Sequence, residues 1–191
     1  MSTKFLYALP FAAFALIAAK PAPFVAPPLP SMAAPPQVVA DPNNKLTLVL
    51  SNGGTVVIQL RPDLAPNHVQ RIQTLVGQGF YNGLTFHRVI AGFMAQGGDP
   101  KGTGEGGSTL PDLKAEFTEM PFLRGTVAAA RAASDDSANS QFFIMFLPNR
   151  TLEHNYTVFG RVISGMDAVD KIAPGEPPPE PTKIVSAHLG V

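Results

Sequence analysis

One stretch of the chain sets a permanent cation among large apolar groups: Phe86-His87-Arg88-Val89-Ile90-Ala91-Gly92-Phe93-Met94-Ala95-Gln96-Gly97-Gly98-Asp99. The run from Leu84 to Ile90 has the composition of a strand, and a period of two places Phe86, Arg88 and Ile90 on one face. A guanidinium on an apolar face is costly unless a carbonyl or carboxylate satisfies it, so one reading is a structural arginine with a partner elsewhere. The residues that follow favour another. Phe93 and Met94 are large, adaptable apolar groups, and Gln96 carries both a donor and an acceptor. Together they describe an apolar pocket with polar tips beside a fixed positive charge.

A second stretch runs from Gly125-Thr126-Val127-Ala128-Ala129-Ala130-Arg131-Ala132 to Ser137-Ala138-Asn139-Ser140-Gln141-Phe142-Phe143-Ile144. Its alanines let a ligand backbone approach a strand closely. Asn139 and Gln141 could hydrogen-bond that backbone, and Phe143 could wall an apolar slot. An alanine-rich core explains the small residues but not the polar cluster beside them, and periodicity does not choose between the two.

Other chemistries find less support. Gly102-Thr103-Gly104-Glu105-Gly106-Gly107 matches a dinucleotide-binding glycine pattern literally, but that pattern works only between a strand and a helix, and Pro111 follows soon. His68, His87, His154 and His188 lie far apart and do not show metal-ligand spacing. Ser140, His87 and Asp99 could form a hydrolase triad, yet the chain has no G-x-S-x-G turn. With no cysteine, thiolate chemistry, disulfides, Cys-ligated zinc and a lipid-bearing cysteine are all excluded. Fourteen basic residues balance fourteen acidic ones, which argues against a nucleic-acid partner.

The elements that must position these residues are mostly short strands. Lys45–Ser51 and Thr55–Leu60 alternate around Asn52-Gly53-Gly54, the pattern of a β-hairpin. Pro66 suits the first turn of a helix in which Val69, Ile72, Leu75 and Val76 recur at helical spacing. Further strand-like runs occupy Leu84–Ile90, Gly125–Arg131, Gln141–Leu147, Tyr156–Ile163 and Lys183–Leu189, and Met166–Ile172 reads as a second helix. So many strands with two brief helices call for an antiparallel sheet that closes into a barrel, because open edges invite pairing with other chains.

Nine of the twenty prolines lie within residues 1–42. Lys4 precedes an apolar run, Phe5 to Ala19, that is short for a membrane span and fits a signal-peptide core over residues 1–20. An uncleaved membrane anchor is the alternative. The best small-residue pair for cleavage is Ser31 and Ala33. Residues 21–42 read as a disordered, extended Pro/Ala-rich tether, which leaves residues 43–191 as the folded domain.

The two central stretches, FHRVIAGFMAQGGD and NSQFFI, resemble the signatures of the cyclophilin family of peptidyl-prolyl cis-trans isomerases, and residues 156–167 resemble the segment that closes its domain. The resemblance implies a mainly β fold, a closed eight-stranded antiparallel barrel capped by two α-helices. It implies an enzyme that rotates X-Pro bonds of polypeptides without metal or cofactor; with the leader, it is expected to assist folding as a monomer in the periplasm, or anchored to the inner membrane by residues 5–19 if the leader is retained. Carried over by position, it makes Arg88 and Gln96 the catalytic pair. It places Phe86, Phe93, Met94, Ala130, Arg131, Gln141, Phe143, Leu152 and Tyr156 against the substrate. Thr151 stands where many eukaryotic members have a tryptophan that contacts cyclosporin, and Tyr156 where they have a histidine. Only weak cyclosporin binding is therefore expected. Ala91 replaces a proline frequent in the motif.

Overall fold

Alternating apolar residues on either side of a glycine turn form the first hairpin, as their spacing requires. In the computed structural model, which describes residues 31–190, β1 (Lys45–Leu50) pairs antiparallel with β2 (Thr55–Leu60) from Lys45↔Gln59 to Val49↔Thr55. Gly54 in the turn has a packing reason: a Cβ there would lie 2.2 Å from that of Ala168. The next element, the helix Pro66–Gly77, begins on its proline and buries Val69, Ile72, Leu75 and Val76 as the pattern predicts.

Six more strands follow: β3 (Phe86–Ile90), β4 (Met94–Gly97), β5 (Thr126–Ala129), β6 (Phe142–Met145), β7 (Val158–Ser164) and β8 (Ile184–Leu189). They join one antiparallel sheet of order β3-β4-β6-β5-β7-β2-β1-β8. Seven of the eight strands are visible as runs in the sequence, while β4, only four residues long, emerges from the Met94–Gly97 segment that reads as pocket. The second long helix shortens to a single turn, Met166–Val169.

The expected closed barrel is a rolled sheet with a partial seam. β3 and β8 are its two ends, and among the described residues they meet at the Thr85↔Lys183 bridge and its neighbours, where Gly83 N–H donates to the Ile184 carbonyl and Phe86 N–H to that of Thr182. Further along, the free edge of β3 is taken by the connecting loop 173–182, because Val89 and Gly175 exchange both main-chain hydrogen bonds, at 2.8 and 2.9 Å. The edge is thus covered by a loop instead of a strand, one of the ways proteins protect such edges.

Part of the expected tether is ordered chain packed on the domain. Residues 1–30, with the expected leader and the first part of the tether, lie outside the described residues. Pro36–Ala40, however, is a short helix and Pro42–Asn44 a 3₁₀ turn, both against the domain. Proline at a first helical turn starts a helix as readily at Pro36 as at Pro66, and Val38 is buried beneath it. The Val38 carbonyl accepts from the buried Asn44 and Gln59 amides, while buried Arg61 donates to the carbonyls of Ser31 and Met32. The Ser31/Ala33 pair therefore lies in chain that is docked on the domain, and the packed unit starts before residue 43.

Inside the roll lies the main core, with Leu48, Ile58, Leu60, Leu75, Tyr81 and Phe159 among its buried members. A smaller apolar cluster occupies the outer face of the sheet: Met94, Met120, Phe122, Ala128, Phe143, Met145 and Val158. This second cluster holds Met94 and Phe143, with Phe93, Leu152 and Tyr156 packed against it.

Candidate active site

Which face each residue of β3 shows is decided by one bulge. Phe86 pairs with Gly97 and Arg88 with Gln96, so two steps along β3 match one step along β4, and His87 is the extra residue. A one-residue slip moves side chains to the other face. Phe86 consequently points into the main core, where it is fully buried and packs edge-on to Phe142. It does not share a face with Arg88 and cannot touch a ligand, contrary to the strict period of two. Arg88 and Ile90 emerge on the outer face.

Cross-strand register then assembles the site. Arg88, Gln96, Phe143, Ala128 and Val158 succeed one another across β3, β4, β6, β5 and β7, with Ile90, Met94 and Met145 in the adjoining row. Met94 and Phe143 form a buried apolar floor, and Phe93, Leu152 and Tyr156 stand partly exposed around it. Phe122 stacks on Phe143 with centroids 6.2 Å apart, and Tyr156 meets the same ring edge-on at 5.5 Å. The Arg131 guanidinium lies 5.0 Å from the Tyr156 ring centroid, held there by the carbonyl of Asn155 and the carboxylate of Asp135. Met120 and Phe122 belong to the same cluster but carry no local sequence signal, because their segment shows neither strand nor helix periodicity.

The polar rim is a continuous chain of hydrogen bonds. Arg88 is half exposed; its Nη1 lies 3.5 Å from Gln96 Oε1, and its Nε donates to Glu176 Oε2 at 2.7 Å. Gln96 donates to Gln141 Oε1 at 2.8 Å, and Gln141 donates to the carbonyls of Gly104 and Gly106, also at 2.8 Å. Beside Gln96 a cavity of about 490 Å³ opens between the glycine-rich loop and Ala130–Ala132. The Ala130 N–H is already given to the Gln141 carbonyl, so a main-chain contact there falls to the Ala130 carbonyl. Asn139, a candidate ligand contact, instead holds the loop 108–112 through Ser108, Leu110 and Asp112.

The glycine-rich loop does cradle an anion, but it is the chain's own. The Asp99 carboxylate is buried and accepts main-chain N–H groups of Lys101, Thr103, Gly104 and Gly106 at 2.7–3.2 Å. Burial alone would raise its pKa; the four donors outweigh it and hold the carboxyl below its usual value. A Cβ on Gly106 would fall 1.9 Å from Asp99 Oδ1, which explains that glycine without a nucleotide. The triad reading fails as well. Ser140 Oγ donates to the Gly98 carbonyl, and neither ring nitrogen of buried His87 has a hydrogen-bond partner among the described residues.

An antiparallel roll with an apolar notch on its outer face, rimmed by a guanidinium and two amides, defines a protein built to hold an apolar ring together with the peptide backbone beside it. The comparisons agree on which. The family described as "Cyclophilin type peptidyl-prolyl cis-trans isomerase/CLD" matches residues 45–189. A Brucella suis protein named "Probable peptidyl-prolyl cis-trans isomerase" is 51% identical over 166 residues, 78% of this chain and 84% of its own length. A Helicobacter pylori peptidyl-prolyl cis-trans isomerase is 42% identical over 132 residues, 67% of this chain and 80% of that protein. Among solved structures, a cyclophilin from Hirschia baltica superposes with a TM-score of 0.72 at 31% identity, covering 78% of this chain and 74% of that one. A Cryptosporidium parvum cyclophilin-type isomerase, crystallised in the presence of the dipeptide Ala-Pro, gives 0.71 at 25% identity, covering 77% and 99%. The chain belongs to the cyclophilin-type peptidyl-prolyl cis-trans isomerases.

Proposed function

We propose that this cyclophilin rotates X-Pro bonds of polypeptides in the cell envelope, with Arg88 as the group that lowers the barrier. Uncatalysed rotation faces about 18–20 kcal/mol because the twisted state has lost amide resonance. In that state the prolyl nitrogen becomes pyramidal and regains a lone pair. A donor beside it stabilises the twisted state more than either planar one, which is the condition for catalysis. A guanidinium suits the role because it stays charged at ordinary pH and presents its N–H groups in a rigid fork.

The remaining residues hold the two ends of the bond apart in function. Phe93, Met94, Phe143 and Leu152 grip the proline ring, with Tyr156 as an outer wall. Gln96 and the Ala130 carbonyl hold the peptide unit that precedes it. Atoms and charges need not move between enzyme and substrate, so no cofactor or metal enters the scheme. The leader delivers the domain to the periplasm, cleaved or retained as an anchor, and the domain acts as a monomer. With Thr151 at the position of the cyclosporin-contacting tryptophan, that ligand binds weakly.

The observation that carries this reading is the half-exposed Arg88 beside Gln96, itself paired across the ladder with Phe143. Exchange spectroscopy on an Ala-Pro peptide tests it: the protein should accelerate cis-trans exchange catalytically, and binding without acceleration would leave only a polypeptide-holding module.

A further inference from the structure

Glu176 reaches the site from a part of the chain that no signature includes. Its loop, Ala173-Pro174-Gly175-Glu176-Pro177-Pro178-Pro179-Glu180-Pro181, is pinned to the edge of β3 by the paired hydrogen bonds between Gly175 and Val89. Val89 directly follows Arg88, so the residue after Gly175 is delivered to the flank of the guanidinium. Gly175 has φ 144, and a Cβ on it would lie 2.5 Å from Cα of the buried Pro178. The loop can take this path only with glycine there. At the end of the path the Glu176 carboxylate accepts from Arg88 Nε at 2.7 Å, while both side chains stay about half exposed.

The choice of Nε matters. Nε lies on the stem side of the guanidinium, so a carboxylate bound there fixes rotation about the last side-chain bonds and leaves the Nη groups toward the notch. Nη1 has only the long 3.5 Å contact with Gln96, and Nη2 has no hydrogen-bond partner among the described residues. Arg88 is thus braced from one side by the proline-rich loop. On the other side it continues through Gln96 and Gln141 to the glycine-rich loop.

We infer that Glu176 is a positioning residue, holding the Arg88 guanidinium in the orientation that meets the prolyl nitrogen. The inference rests on the reading of Arg88 above. An exposed ion pair is worth up to about 1 kcal/mol, which corresponds to about fivefold in rate.

The test uses the full chain with Glu176→Ala, Glu176→Gln, Arg88→Lys and the Arg88→Lys, Glu176→Ala double variant. Turnover on an Ala-Pro peptide and ¹⁵N relaxation of the Arg88 Nε–H are both measured. Glu176→Ala should lower kcat roughly three- to fivefold, change KM by less than about twofold, and loosen the Nε–H. Glu176→Gln keeps an oxygen acceptor for Nε and should restore most of the loss. In the Arg88→Lys background, which has no Nε, Glu176→Ala should have little further effect. Unchanged kcat and Nε–H order in Glu176→Ala, or an equal loss in the lysine background, would overturn the positioning role while leaving Arg88 in place. An inactive wild type, or an Arg88→Ala variant with full activity, would instead remove the parent reading, and the role of Glu176 with it.

Discussion

The side-chain amide of Gln96 is oriented by Gln141. One N–H of Gln96 is given to Gln141 Oε1 at 2.8 Å, which turns Oε1 of Gln96 toward Arg88 and leaves its second N–H for a ligand carbonyl. Gln141 is in turn anchored on two carbonyls of the glycine-rich loop. Replacing Gln141 by leucine removes the anchor and leaves Gly104 and Gly106 short of a donor. The expected cost is about 1 kcal/mol of stability, the low end for a half-buried site, with kcat/KM reduced up to about tenfold. Urea unfolding and peptide turnover measure the two; a folded variant with unchanged kcat/KM would show that Gln96 needs no partner.

Two phenylalanines separate the faces of the sheet. Phe86 is in the main core and Phe143 in the floor of the notch, so their truncations should part company. Phe86→Ala is expected to cost about 3–5 kcal/mol of stability, as for other buried aromatic truncations, with KM unchanged in the protein that remains folded. Phe143→Ala should raise KM as well as destabilise. Equal effects on KM would mean that Phe86 reaches the substrate after all.

The same pair shows what the sequence could and could not disclose. Arg88, Gln96, Phe143 and their neighbours are legible because they sit in short, distinctive motifs, and strands such as β1 and β2 are legible because one face is buried and alternation follows. The bulge at His87 is invisible to alternation: a period of two assumes that no residue is inserted, and the error falls on Phe86. Glu176 and Phe122 are hidden for a different reason. They reach the site through long-range loop packing, which leaves no local pattern. Over Pro36–Ala40 a proline-rich composition signals extended chain, whereas a proline at the first turn is compatible with the helix that forms.

Acid should act first through buried groups. The Asp99 carboxyl lies below its usual value in the folded protein, so it stays ionised where the unfolded chain would bind a proton. Its contribution is present above the ordinary carboxylate range and is lost as pH falls through the lowered folded value. His68 and His87 are also lowered, chiefly by burial, and neutral histidines in the fold begin to cost stability as pH drops below about 6.5. The wild type should therefore lose stability from about pH 6.5 downward, and Asp99→Asn should be less stable at pH 7 with a shallower loss below pH 4. Denaturation midpoints between pH 3 and 8 decide it; parallel curves for the two proteins would contradict the assignment to Asp99.

The N-terminal strap predicts where the stable unit begins. A chain starting at Asn43 lacks the Met32 carbonyl that Arg61 Nη1 meets and the Val38 carbonyl that accepts from the buried Asn44 amide, although Asp63 still holds the rest of the Arg61 guanidinium. It should be less stable than one starting at Ser31 by about 1–3 kcal/mol, the cost of leaving buried donors without acceptors. Matched urea curves test this, and coincident curves would show that residues 31–42 add nothing to the fold.

Arg88→Ala bears most directly on the whole account. A preorganised donor of this type is worth roughly 2.7–4 kcal/mol, so kcat/KM on an Ala-Pro peptide should fall on the order of a hundredfold or more. The half-exposed side chain can be removed without opening the core, and the unfolding midpoint should stay close to that of the wild type. Turnover undiminished in a folded Arg88→Ala protein would contradict the mechanism.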